Sequence, residues 1–255
     1  MASEVKTNKI SPATGTDVTL GDASDTFTIP ASATLDVNGI IDITGATATG
    51  FPSSGFVREV FYTASTSAGG YSPNSDVTKI IVEILAGGGA GSRYTADGPK
   101  VNGGAGGGYV RKTLTVVDTD TMTVTIGAAG THTGNTNEAG SAGGSTSFAT
   151  VTGTSFTTLT AGGGGGGSIS NYTPGVSGTA TGGDLNIIGD AGRTMNVGSS
   201  TGGYSPYGYG GSARTNEATS LGANGIGYGS GGGGGADAGY AGNGAAGLCI
   251  ITEYK

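Results

Sequence analysis

Tryptophan is absent from these 255 residues, cysteine and histidine each occur once, proline occurs 7 times, and only 11% of the residues are charged. Each scarcity excludes something. A single thiol, Cys249, cannot build an intramolecular disulfide framework. The lone histidine, His132, stands between Thr131 and Thr133 in a glycine-flanked stretch. It has no second histidine or cysteine beside it and no Ser-His-Asp arrangement to join. Three copies around a trimer axis would be needed to make it a metal ligand, and a solvent-exposed loop histidine is the simpler expectation. The 11 basic residues against 18 acidic ones give a net charge of −7. Such a surface does not grip phosphate backbones or anionic lipid, so no nucleic-acid partner is expected. No apolar run approaches the ~20 residues of a membrane-spanning helix, and residues 1–6 (Met1-Ala2-Ser3-Glu4-Val5-Lys6) lack the apolar core of a secretory signal. The expectation is a protein made in a cytoplasm, with no membrane insertion.

What is present is glycine, 56 residues of it, about three times the ordinary usage of roughly 7%. Residues 1–79 hold 8 glycines and residues 80–255 hold 48. This shift is the clearest boundary signal in the chain. With residues 44–55 read as a turn-rich linker, it divides the sequence into a segment 1–55 and a domain 56–255. No three-residue repeat runs through the second part, which excludes collagen.

Periodicity gives strands and essentially no helix. In the first segment, short triplets alternate apolar and polar residues: Val18-Thr19-Leu20, Phe27-Thr28-Ile29, Leu35-Asp36-Val37 and Ile41-Asp42-Ile43. Strands this short need neighbours, so they read as rungs stacked on each other or wrapped around copies of the same chain in an oligomeric stem, the alternative being a small meander packed on the main domain. From residue 57 longer strands follow, at 57–62, 79–86, 109–117, 122–126, 146–148, 155–160, 184–188 and 248–254. The pair 109–117 and 122–126, joined through Asp118-Thr119-Asp120, reads as a hairpin whose turn accounts for both aspartates. A Ca²⁺ role for the two would need further oxygen ligands that the spacing does not supply. The expected fold is all-β, a sandwich-like domain interrupted by long glycine-rich excursions.

A glycine-serine tract is disordered by default, since it buries too little to offset its ordering entropy. Here strong strands bracket the tract, and the last of them, 248–254, requires a partner. Runs without side chains pack as extended threefold helices of polyproline II shape, with N–H and C=O groups bonding between neighbours. The six glycines at 162–167 satisfy G-x-G-x-x-G trivially, but no helix and no ribose-binding acid follow, and no P-loop pattern occurs. No cofactor is expected. Nothing in the spacing of the acids points to glycan cleavage, and no enzyme activity is expected. Cys249 alternates within a terminal strand and reads as an inert buried thiol.

Tyrosines gather in the glycine-rich half: Tyr172, Tyr204, Tyr207, Tyr209, Tyr228 and Tyr240. A tyrosine has a broad apolar face and a polar tip, suited to a sugar or protein surface. The competing reading for each ring is packing, as a roof over bare glycine backbone.

The order of these elements resembles the glycine-rich domain of bacteriophage tail fibres and adhesins. An apolar strand opens into glycines at 79–91, a glycine cluster opens a second strand at 103–117, and a third strand ends in glycine at 122–127. The turn Gly143-Gly144-Ser145-Thr146-Ser147-Phe148 follows, and the chain closes on Gly244-Ala245-Ala246-Gly247-Leu248-Cys249-Ile250-Ile251. The resemblance covers about residues 57–255. Residues 26–39 and Thr49-Gly50-Phe51 are similar to the N-terminal stretch of marine phage fibre proteins. The resemblance implies a homotrimeric virion protein, exposed on the released particle and attached to other virion proteins through residues 1–50. It further implies a tail fibre or receptor-binding adhesin that touches a host glycan or outer-membrane protein through tyrosine-bearing loops. Two other readings stand beside it: a head fibre or capsid decoration protein, and a free glycine-rich structural or ice-binding protein. The last predicts a flat, regular threonine array.

Overall fold

In the computed structural model, the described residues are 55–94, 101–134, 137–170, 173–194, 200–214, 219–237 and 240–255. The chain divides into two units, Met1–Phe51 and Pro52–Lys255, and all described residues belong to the second. The triplets expected at residues 18–43 lie outside them. No helix occurs among the described residues, which form strands and extended runs.

In chain order the strands are β1 (Phe56–Tyr62), β2 (Lys79–Leu85), β3 (Arg93–Tyr94), β4 (Tyr109–Thr115) and β5 (Thr121–Thr125). Then come β6 (Thr146–Thr152), β7 (Leu159–Ala161), β8 (Ala180–Thr181), β9 (Leu185–Ile187) and β10 (Gly208–Tyr209). The last are β11 (Ala213–Arg214), β12 (Thr219–Gly222), β13 (Ile226–Gly227), β14 (Gly235–Asp237) and β15 (Leu248–Tyr254).

Two antiparallel sheets make the sandwich, one ordered β1-β15-β2-β4-β9 and the other β5-β6-β7-β8. Alternation along each strand decides what lies between them. Ile80, Val82 and Ile84 of β2, Val110 and Leu114 of β4, and Cys249 and Ile251 of β15 point inward from the first sheet. Met122, Val124, Phe148 and Leu159 meet them from the second. Burial drives the Cys249 thiol pKa well above its usual range, as expected of an inert core thiol. The C-terminal strand is central rather than peripheral: β15 pairs with β1 on one side and with β2 along its whole length on the other.

One fully buried inward position carries a charge. Glu253 is fully buried, and Arg58 donates to both of its carboxylate oxygens, at 2.7 and 2.8 Å. The hydroxyl of Tyr71 adds a third bond at 3.1 Å. A buried carboxylate is tolerable only when its lone pairs are filled in this way. Burial, and then the neighbouring carboxylate, push the Tyr71 phenol far above its normal pKa. Its ring packs against Phe148 at the centre of the core.

The hairpin expected from 109–117 and 122–126 does not form. Strand β4 pairs with β2 and β9, while β5 pairs with β6. The connection at Asp118-Thr119-Asp120 is therefore an arch from one sheet to the other. Both strands place alternate apolar residues toward a single interior, and two facing sheets satisfy that as well as one sheet does. Asp120 fixes the corner, accepting from the amides of Val117 at 3.0 Å and Thr154 at 2.7 Å. Burial alone would raise its carboxyl pKa, but these amide hydrogens outweigh it and the pKa is lowered.

Beyond the sandwich the glycine tracts form a lattice. In residues 87–92 the N–H groups turn through three directions. Gly87 and Ala90 donate to Gly144 and Ser141, Gly88 and Gly91 to Ala245 and Gly242, and Gly89 and Ser92 to Ala105 and Asn102, all at 2.9–3.0 Å. Every third residue returns to the same neighbouring run, the period of polyproline II. The carbonyls of this run accept from Gly164, Gly167, Gly130, Gly232 and Gly235. The run thus has six neighbours, an hexagonal environment. The run at 103–108 repeats the pattern, donating in threes to 190–193, 229–232 and 162–165.

Candidate functional surfaces

Many lattice runs are continuous with a sandwich strand, while those at 200–203, 210–212, 222–225 and 229–235 join only the short strands β10 to β14. β2 feeds residues 86–92, β5 feeds 127–134 and β7 feeds 162–168, while 101–108, 138–144 and 241–247 return to β4, β6 and β15. The unit accordingly has two ends. At the base lie Gly55, Lys79, Thr115 and Tyr254, joined by the register of the first sheet. At the tip, about 20 Å along runs that rise ~3.1 Å per residue, lie the far ends of these runs, joined by hydrogen bonds between Ser92 and Asn102 and between Arg93 and Glu138. A small sheet ordered β11-β12-β14-β3 joins segments at this end.

The six tyrosines singled out in the sequence do not share one place. Tyr204, Tyr207, Tyr209 and Tyr228 lie in or beside the antiparallel β10–β13 pair, against the sandwich rather than at the tip. Tyr204 and Tyr209 stand edge to face, ring centres 6.0 Å apart, and Tyr209 is 70% exposed. Tyr207 has a packing role: its ring leans on Tyr109 at 6.1 Å, and both hydroxyls donate to the Glu83 carboxylate. Burial and that carboxylate push the Tyr207 phenol up to about 12. Tyr240 is at the tip, where the guanidinium of Arg93 lies 5.2 Å from its ring centre. Tyr172 falls outside the described residues.

His132 is not the exposed loop residue expected of it. Its side chain is only 1% exposed. Residue 132 sits within a run, and its backbone N–H donates to Asn243 Oδ1 at 2.7 Å. Nε2 has no hydrogen-bond partner and lies 4.0 Å from Glu138 Oε2. Burial lowers the imidazole pKa, the nearby Glu138 carboxylate partly opposes that, and Arg93 reinforces it. Arg93, His132, Glu138, Tyr240 and Asn243 thus gather just beneath the tip from four separate runs. Arg93 and Glu138 exchange backbone hydrogen bonds, and the Arg93 guanidinium donates to the Gly134 carbonyl at 3.4 Å. Sequence reading missed Arg93, Glu138 and Asn243, because no local pattern links residues so far apart. Among the described residues, no group of three or more His, Cys, Asp or Glu side chains converges as a metal site would.

Compared with known protein families, residues 63–254 match the glycine-rich domain. The chain belongs to the glycine-rich domain family. The match ends at Tyr254, so it takes in the closing strand β15 as well as the glycine runs. A search of curated proteins finds no match to this glycine-rich domain protein.

Proposed function

We propose that this glycine-rich domain protein is a bacteriophage virion protein that contacts the host surface, a tail fibre or receptor-binding adhesin. The observation that carries the reading is the polarity of the described unit. Gly55 lies at the base beside Lys255, and the far ends of the glycine runs, with the exposed Tyr240, are gathered at the opposite end of a hydrogen-bonded lattice. Loops held on a rigid scaffold bind without much of the ordering cost that weakens free loops. Residues 1–50 attach the protein to other virion components, and the tip meets a glycan or outer-membrane protein of the host. The tyrosines divide accordingly. Tyr240, exposed above the buried Arg93, faces the receptor, and Tyr207 holds the β10–β13 pair to the sandwich.

Adsorption tests the reading. Purified protein should bind host cells and compete with phage adsorption, and Tyr240→Ala should weaken competition roughly tenfold, the order of a well-placed aromatic anchor. Tyr209→Ala, on the flank, should leave it unchanged. Absence of binding and competition by the wild-type protein overturns the reading. Antibody labelling of particles on the capsid faces, rather than the tail, would point to a head fibre.

A further inference from the structure

We propose that the outward face of the five-stranded sheet is a two-fold interface between two copies of this chain. This inference does not rest on the adhesin reading. The register of the sheet fixes which residues share that face. On β2 they are Lys79, Ile81 and Glu83, on β15 Tyr254, Thr252 and Ile250, and on β1 Phe56, Glu59 and Phe61. Two of the most exposed large apolar residues of the unit, Phe56 at 65% and Phe61 at 58%, stand at opposite ends of one strand of this face. Aromatic residues flanked by charges are the make-up of an interface core with its rim.

The face is self-complementary about one axis. A two-fold axis in the plane of the interface, along the row Glu59-Thr252-Ile81-Thr113, stacks each strand on its own copy in reverse. Lys79 then meets Glu83 of the second copy, Phe56 meets Phe61, and Tyr254 meets Ile250. Lys79 faces Glu83 and apolar faces apolar, as an isologous contact requires, while Arg111, which lies 3.6 Å from Glu83 in its own chain, faces Thr115. An axis along the strands instead sets β2 on β15 and leaves both β2 charges over apolar side chains. Sheets stack face to face at about 10 Å with strands nearly aligned, which this arrangement permits.

Shape agrees with charge. The Ser205–Gly208 turn bearing Tyr207 rises over the lattice end of the face, anchored on Glu83 and Tyr109. At the other end lies a groove of about 420 Å³ lined by Gly55, Thr78, Lys79, Ile81, Tyr254 and Lys255. The same rotation brings the projection of each copy to the groove of the other. Glu59 meets its own copy, but at the edge strand, where water and salt screen the pair.

The test uses the full chain in sedimentation equilibrium and thiol cross-linking. Wild-type protein should sediment as a dimer. Lys79→Glu, which sets an acid against Glu83 of the second copy, should raise the dimer dissociation constant at least tenfold, and Phe61→Glu should do the same. Both substitutions are at the surface, and circular dichroism checks that each variant is folded. Ile81→Cys, on the axis, should be captured as a covalent dimer by a short bismaleimide, since the native Cys249 is buried. A wild-type monomer or trimer, variants that dimerise as tightly as wild type, or an Ile81→Cys protein that never cross-links would each overturn the proposal.

Discussion

A Cβ added to Gly104 would stand 2.2 Å from the carbonyl oxygen of Gly89, and one added to Gly89 would stand 2.1 Å from that of Gly165. Only five described glycines take positive φ, namely Gly69, Gly153, Gly182, Gly227 and Gly229. Space between backbones, rather than access to left-handed conformations, is therefore what most of these positions require. Gly104→Ala should lower stability by about 3 kcal/mol, the upper range for overpacking a filled interior. Gly55→Ala, where nothing lies within 4 Å of the added atom, should change it by less than about 0.5 kcal/mol. Urea titration of the two variants checks the contrast, and equal losses would refute it. His132 supplies a second prediction. Its pKa in the folded protein is depressed below the ordinary 6.5, so the folded state binds the proton less readily than the unfolded chain does. The stability contributed by neutral His132 is complete above pH 6.5 and is lost as pH falls through the lowered folded value. Thermal midpoints measured from pH 7.5 to 5 should fall in wild type, and the His132→Gln variant should lose that part of the slope.

Elements were legible where alternation was strong. β2, with Lys79-Ile80-Ile81-Val82-Glu83-Ile84-Leu85, and β15 sit where the apolar pattern places them. Partners were less legible than strands. β4 and β5 look like a hairpin because a short polar turn separates them, yet the same residues serve an arch between sheets. The pairing of β4 with β2 and β9 and of β5 with β6 tells the two apart, and the buried Asp120, accepting from the amides of Val117 and Thr154, marks the corner. The central position of β15 sharpens the role of the terminal strand. It lies between β1 and β2, it carries Glu253, and its N-terminal continuation is the run bonded to Gly88 and Gly91. A chain ending at Gly247 loses the partner of two strands and strands Arg58 beside an apolar core. It should show no cooperative thermal transition, and a truncated protein that melted near the wild-type temperature would contradict this placement.

At the scale of the molecule, sandwich and lattice share their covalent runs, so neither has a boundary at which to come apart. Denaturant unfolding followed by far-ultraviolet circular dichroism, which reads the sheets, should coincide with hydrogen exchange of the amides of residues 87–92 and 103–108. Early loss of the lattice signal would show two separate cooperative units. The lattice itself was only half legible. Glycine content and bracketing strands pointed to polyproline II packing, but the sequence carries no three-residue repeat. The physical reason is the hexagonal environment: an interior run meets neighbours on every side, so all of its positions must be small and none marks the period. That hidden period constrains how such a chain can change its length. Inserting one residue into the run 86–92 would turn every later N–H by about a third of a turn, toward a neighbour whose carbonyl is out of register. Three residues restore the register and lengthen the run by ~9 Å. Insertions and deletions within the runs are therefore quantised in triplets.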